Sequence, residues 1–273
     1  MKKIIPFAKI EATGNDFIIL DDREIAAALL SPEMIKNWCD RHFGIGADGL
    51  IHVSVSGPTT PRMLFFNADG SRGAMCGNGL RAVALHLLTI GVCHKKHDNF
   101  IEADDGLHRF TVDEQGRISV ELLLNEQNEK KIDAAALDLP AGIELLGFKQ
   151  VGVPHLVLKT ELDEFADFEK LGRRLRSHPL FGAQGTNVNL IRMVDENTIK
   201  VRTYERGVEG ETFSCGTGVT ACALLCWECF SPSQKTLTVQ TRGGILKVEQ
   251  KSGRLWLGGP AHIVFIGQKI LEN

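Results

Sequence analysis

Two copies of one short motif constrain this 273-residue chain more than any other feature. Cys76-Gly77-Asn78-Gly79 recurs 139 residues later as Cys215-Gly216-Thr217-Gly218. A shift of the first half by about that distance brings three further features into line. Phe7…Gly14-Asn15…Phe17-Ile18-Ile19 meets Phe148…Gly152-Val153…Leu156-Val157-Leu158. Phe43-Gly44…Gly49-Leu50-Ile51 meets Phe181-Gly182…Asn189-Leu190-Ile191, and Gly106-Leu107…Gly116-Arg117-Ile118 meets Gly244-Ile245…Gly253-Arg254-Leu255. Such agreement, in one order and at nearly one offset, predicts two structurally similar halves. The length agrees, since it suits about two domains.

The local pattern is shared as well. Short β-branched and aromatic runs at 100–103, 109–112 and 236–240 predict strands, with hairpin turns at 113–116 and 251–253. After each Cys-Gly-x-Gly comes the most helical segment of its half, 80–89 and 219–229. Both are apolar almost all round, as a helix enclosed by its own domain would be. The expected fold is α/β (α+β): two pseudo-twofold-related halves, each a curved mixed sheet wrapped around a central buried helix. The charged stretch 126–131 is expected to cross between elements at the surface.

Charge and composition exclude several classes. The net charge is −3 with no Lys/Arg stripe, so no nucleic-acid partner is expected. The longest apolar runs, 80–90 and 219–229, are interrupted by Arg, His or Glu and fall short of a membrane span. Pro6, Lys9 and Glu11 break the opening apolar run, which argues against an export signal. Seven cysteines, an odd number, fit a reducing cytoplasm in which most act as small buried hydrophobes.

Three tempting motifs fail on context. Gly44-Ile45-Gly46-Ala47-Asp48-Gly49 satisfies the letter of a dinucleotide fingerprint, but a helical pattern precedes it and a strand pattern follows, which reverses the required order. Cys222, Cys226 and Cys229 have iron–sulfur spacing, yet they fall at i, i+4 and i+7 of an apolar helix, as a packing stripe would. Cys39 and Cys93 have no partner at ligand spacing, and no His pairs with Cys at zinc distances, so no metal is expected.

The two Cys-Gly-x-Gly corners are different. A helix start carries bare N–H groups and partial positive charge, which stabilise a thiolate and grip a carboxylate. Glycines let a ligand approach the backbone. Two such corners face to face would flank one α-carbon with two sulfurs, one removing the α-proton as thiolate, the other protonating the opposite face as thiol. Such a scheme requires no cofactor, and the N–H groups meet the charge that develops on the carboxylate.

The residues that surround these corners resemble the diaminopimelate epimerase family. The resemblance rests on Thr13-Gly14-Asn15-Asp16-Phe17, Phe66-Asn67-Ala68-Asp69-Gly70-Ser71, the two Cys motifs, Pro154-His155, Asn187-Val188-Asn189 and Tyr204-Glu205-Arg206-Gly207…Gly210-Glu211-Thr212. It implies a pyridoxal-independent isomerase of lysine and cell-wall precursor synthesis that converts LL- to meso-diaminopimelate. By the same resemblance Cys76 and Cys215 are the acid–base pair, tuned by His155 and Glu205. Gly77, Asn78, Gly216 and Thr217 would hold the reacting carboxylate, and Asn15 would line the reacting end. Asn67, Asn189 and Arg206 would receive the distal end, with Glu205 taking an ammonium. The implied halves are 1–117 with a returning 263–273, and 118–262, in a cytoplasmic homodimer.

Two positions depart from the family's habit: Val153 stands where Asn is frequent before Pro-His, and Gly49 where Gln is frequent. Both replacements remove amides, so a smaller α-amino acid such as glutamate is the expected competitor for the site. The alternative readings are a proline-type racemase, which Glu205-Arg206 disfavours because proline lacks a second charged end, and a thiol redox protein, which no Cys-x-x-Cys supports.

Overall fold

The computed structural model describes residues 3–56, 60–73, 75–95, 97–123, 131–163, 165–230 and 235–271. Of the charged stretch 126–131, only Lys131 lies within them. The chain forms two compact units, Met1–Leu123 with Gly258–Asn273, and Leu124–Leu257.

In the first unit, β1 (Lys3–Ala12) and β2 (Asn15–Asp21) lead through α1 (Pro32–Cys39) to β3 (Gly49–Ser54), β4 (Arg62–Asn67) and β5 (Arg72–Gly73). Then follow α2 (Gly77–Thr89), β6 (Asn99–Ala103), β7 (Gly106–Val112) and β8 (Ile118–Leu122). In the second unit the run is β9 (Ile143–Val151), β10 (Val153–Thr160), α3 (Phe168–Arg176), β11 (Asn187–Asp195), β12 (Thr198–Glu205) and β13 (Gly210–Thr212). It continues with α4 (Gly216–Phe230), β14 (Thr236–Thr241), β15 (Gly244–Lys251) and β16 (Arg254–Gly259), before β17 (His262–Leu271) returns to the first unit beside β1.

Strand pairing repeats step for step. In the first unit β1–β2 is antiparallel, β2–β3 parallel, β3–β4 and β4–β5 antiparallel, β4–β6 parallel and β6–β7 antiparallel. In the second, β9–β10 is antiparallel, β10–β11 parallel, β11–β12 and β12–β13 antiparallel, β12–β14 parallel and β14–β15 antiparallel. Even the register is shared: Phe17 faces Gly49 across the first parallel pair, and His155 faces Asn187, 138 residues on in both strands, across the second.

Each parallel pair needs a crossover, and the helices supply it. One helix, α1 or α3, bridges the first parallel pair, and the other, α2 or α4, bridges the second. α2 packs on β1, β2, β3, β4 and β8, while Ile35, Trp38 and Cys39 of α1 join Ile5, Ile18, Leu20 and Leu50 in a separate cluster. In the second unit α4 packs on β9, β10, β11 and β15, and Phe168, Leu171 and Leu175 of α3 join Leu156, Leu158, Val188 and Tyr204. Covered on both faces, 17–21, 49–53, 155–158 and 187–191 are buried without alternation, as parallel strands usually are. The 113–116 hairpin turn carries β8 back onto β7. Accordingly, the first unit runs to Leu123 and not to the expected 117, and the return segment begins at Gly258 and not at 263.

Candidate active site

Both cysteines stand at the start of their unit's central helix. Cys76 caps α2 in extended conformation (φ −141°, ψ 113°); its carbonyl accepts from Leu80 N–H at 2.8 Å and its sulfur from Gly79 N–H at 3.4 Å. Cys215 stands in the same relation to α4: its carbonyl accepts from Val219 N–H at 2.9 Å, and Gly218 N–H reaches its sulfur. Oxygen side chains usually fill this position; here sulfur does, at the positive end of the helix. The first-turn N–H groups of Gly77, Asn78, Gly216 and Thr217 have no acceptor within their own helices. At the fourth residue of each motif a side chain meets close neighbours, more severely in the second. A Cβ on Gly218 would lie 2.5 Å from Asn189 Oδ1, and one on Gly79 would lie 3.1 Å from Ile51 Cδ1.

The surroundings of the sulfurs differ. Burial pushes the Cys215 thiol well above its usual range, and the Glu205 carboxylate adds to this, against opposing bonds from the Thr217 hydroxyl at 3.4 Å and Gly218 N–H. Glu205 itself accepts from Thr212 Oγ1 at 2.5 Å. His155, at the start of β10, is wholly buried; burial first, and then the Arg206 charge, push it down to about 3, so it is a neutral imidazole in ordinary conditions. Its tautomer follows from Asn189. Asn189 Oδ1 accepts from Thr203 at 3.0 Å, which turns Nδ2 toward Leu156 O at 3.1 Å and His155 Nδ1 at 3.3 Å. Nδ1 is therefore the acceptor, and Nε2 carries the proton with no partner among the described residues.

Asn189, expected to reach the distal end of a substrate, is fully buried, and both polar atoms of its side chain are engaged in this way, one of them on His155. Asn187, two residues earlier, accepts the Arg206 N–H at Oδ1 (2.9 Å), and its Nδ2 has no partner among the described residues. Its amide is thus the one of the pair with a donor left over among the described residues, which the motif alone does not mark. Its two-residue spacing from Asn189 on one strand was the available signal. Among the described residues the guanidinium of Arg206 reaches only Gln184 O, at 3.4 Å.

Around Cys76 the neighbours are amides and a cation. Asn15 Oδ1 lies 3.7 Å from Cys76 Sγ and accepts from Asn78 Nδ2 at 3.3 Å. Arg81, one turn along α2, is completely buried and donates to Asn78 Oδ1 at 2.9 Å, Thr13 Oγ1 at 3.1 Å and Gly77 O at 3.4 Å. Asn67 is not brought to this group: it is exposed at the β4–β5 turn, with Nδ2 on Ser71 Oγ at 3.0 Å.

Gly49 has no room for a larger side chain. A Cβ would meet Phe66 O at 2.6 Å and the Phe65 ring at 2.7 Å; that ring also covers Gly73. The glycine-rich segment 44–49 follows α1 and opens β3, and it contributes Asp48 to the Asn15 side chain. In α4, Cys222 and Cys226 are buried and burial raises both thiols, while Cys229, expected on the same stripe, is exposed because it lies in the last turn. All seven cysteines are free, and no cluster of metal-ligating side chains occurs among the described residues. No described helix is long and apolar enough to cross a membrane.

Comparison with known proteins joins the halves to one family. The diaminopimelate epimerase family description matches residues 7–123 and again 147–263. The chain belongs to the diaminopimelate epimerase family. The two matched stretches lie 140 residues apart, close to the offset between the cysteine motifs. The diaminopimelate epimerase of Aquifex aeolicus is 37% identical, covering 97% of this chain and 99% of its own. That of Flavobacterium psychrophilum is 34% identical over 94% and 97%. These relatives are isomerases, and so is this member of the diaminopimelate epimerase family. Solved structures of lower identity share the fold. A PhzF-family phenazine biosynthesis protein of Bacillus anthracis superposes with TM-score 0.74 at 16% identity, over 98% of this chain and all of its own. A hydroxyproline epimerase of Agrobacterium vitis superposes with TM-score 0.69 at 13% identity, over all of this chain and 95% of its own.

Proposed function

We propose that this enzyme epimerises LL-diaminopimelate to meso-diaminopimelate, with Cys76 and Cys215 as a two-base pair. The observation that supports this most is the repeated corner: a sulfur capping a helix start, with a backbone N–H on the sulfur and further first-turn N–H groups beside it, built twice in one chain. The α-carboxylate binds the N–H groups of Gly77, Asn78, Gly216 and Thr217. One cysteine, as thiolate, takes the α-proton; the other, as thiol, returns a proton to the opposite side, and the roles exchange in the reverse direction. Negative charge spreading onto the carboxylate is met by preset dipoles, which does for the carbanion what an electron-sink cofactor would otherwise do. The His155 Nε2–H and Glu205 shape the electrostatics at Cys215. Asn15 lines the reacting end. Asn67, Asn187 and Arg206 receive the distal carboxylate and Glu205 an ammonium. The enzyme works in the cytoplasm as a homodimer, which light scattering of the purified protein checks.

The test is deuterium uptake at Cα from heavy water, with a chelator present and no pyridoxal phosphate. The panel holds LL- and meso-diaminopimelate, glutamate and proline. Uptake into both diaminopimelate isomers, well above the others, is expected. Uptake into glutamate or proline alone would overturn the substrate assignment, and dependence on added pyridoxal phosphate would overturn the mechanism.

A further inference from the structure

A chain of side-chain amides leads away from the Cys76 sulfur in the first unit, and each of its ends is a charged group with no role in the reaction described so far. Asn15 presents Oδ1 to Cys76 Sγ (3.7 Å) and Nδ2 to Asp48 Oδ2 (2.8 Å). Asn78 presents Nδ2 to Asn15 Oδ1 (3.3 Å) and Oδ1 to Arg81 Nη2 (2.9 Å). An isolated amide can turn end for end with almost no change of shape, so its partners decide its direction. Here the partners leave one choice. A carboxylate only accepts, so Asp48 takes the Nδ2 end of Asn15; a guanidinium only donates, so Arg81 takes the Oδ1 end of Asn78. The two amides are thereby aligned head to tail, and the atom facing Cys76 is an oxygen.

Both ends are anchored. Arg81 is fully buried and held by Thr13 and by Gly77 O, and its Nε meets no partner among the described residues. Asp48 belongs to a network: Arg41 Nη2 bridges Asp48 and Asp16 at 2.7 Å each, Asp48 N–H donates to Asp16 Oδ1 at 3.0 Å, and buried Lys9 pairs with Asp16 at 2.7 Å and donates to Gly46 O. Burial raises the Asp16 carboxyl, but hydrogen bonds from Arg41 and then Lys9 outweigh it and hold it at about 2.

We propose that Asp48 and Arg81 are positioning residues that act through Asn15 and Asn78 to keep an acceptor oxygen on Cys76, favouring its thiol form. The proposal rests on the reading of Cys76 as an acid–base group. Several charged groups bear on this sulfur from the elements around it. The Arg81 cation of α2 and the Gly79 N–H favour the thiolate, and Glu11 of β1 faces Arg81 and softens that pull. Asp48, with Asp16, Arg41 and Lys9, acts from behind Asn15. The Asn15 oxygen is the counterweight that favours the thiol. Turning that one amide around would replace an acceptor by a donor and tip the balance toward thiolate.

Iodoacetamide alkylation of Cys76, followed against pH by peptide mapping in a Cys215→Ala background, reads this directly and needs no turnover. Asp48→Asn keeps the shape but lets Asn15 turn, so the alkylation midpoint should fall by about half a pH unit or more. With Asn15→Ala also present, the same substitution should shift the midpoint by less than about 0.2 unit. A shift that persists undiminished without Asn15 would mark an ordinary charge effect and overturn the proposal; no shift in either background would overturn it too. Asp48 is exposed, and should Asp48→Asn melt early, Asp48→Ser carries the same expectation, since its hydroxyl can donate or accept. If diaminopimelate exchange survived Cys76→Ala, the acid–base role of Cys76 would fall, while the alkylation result would still judge the amide chain.

Discussion

The two cysteine corners share a backbone and differ in almost everything else. Each sulfur caps a helix and meets the N–H of the glycine three residues on, yet the side-chain shells carry opposite signs. Cys76 looks onto a carboxamide backed by a buried guanidinium and is half-buried; Cys215 is buried beside a carboxylate, a hydroxyl and a neutral imidazole. A two-base reaction needs one sulfur ionised and its partner protonated. Duplication supplied two equal scaffolds; divergence of their shells gave the sulfurs the chance to differ in proton affinity.

The largest test of the comparison is to remove each sulfur in turn. Cys76→Ala and Cys215→Ala should each lower epimerisation by roughly a thousandfold or more, with thermal unfolding little changed. Retention of activity in one variant alone would mean that the corners differ in kind, and a single base would then suffice. A second contrast lies in the glycines. Gly218→Ala drives a methyl into Asn189, which is held by three bonds, and should destabilise by about 1–3 kcal/mol in urea titrations. Gly79→Ala meets the movable ends of Ile51 and Met63 and should cost less than about 1 kcal/mol. Equal costs would show that Asn189 is freer than its bonds imply.

The smallest effects concern pH. His155 is held at about 3 against its ordinary 6.5, so the unfolded chain takes up a proton there that the folded one refuses, and stability falls as pH drops through that interval. Asp16 is held at about 2 against 3.8, so the stability it lends is complete above about pH 4 and is lost toward pH 2. His155→Gln should therefore flatten the acid decline between about pH 6.5 and 3, and Asp16→Asn only the decline below about pH 4. Asp16→Asn should also cost about 1–2 kcal/mol at neutral pH and almost nothing near pH 2. An acid slope unchanged in either variant would contradict the assigned shift.

Much of this is legible in the sequence. The helices that follow the cysteines were marked by apolar residues all round, and both formed, beginning earlier than periodicity alone suggested because glycines at 77, 79, 216 and 218 carry no apolar signal. Asn15 and Asn78 could be named from their motifs. The glycine-rich segment at 44–49 follows a helix and opens a strand, as its flanking patterns suggest, but nothing local marks its acidic residue, Asp48, as the partner of an asparagine 33 residues away. Arg81 was hidden for a related reason. An arginine in an apolar helix reads as an interruption, and only packing shows that the guanidinium is enclosed and spent on two side chains and a carbonyl.

Sequence by itself determined the duplication, the helix that follows each cysteine, and the residue types at the two corners, because period, spacing and residue chemistry are properties of the chain read in order. Tertiary structure alone decided which of Asn187 and Asn189 keeps a donor to spare, which nitrogen of His155 carries its proton, and which way the Asn15 amide points. These depend on hydrogen-bond partners contributed by distant strands, and a donor or acceptor has a direction only once its partner is in place.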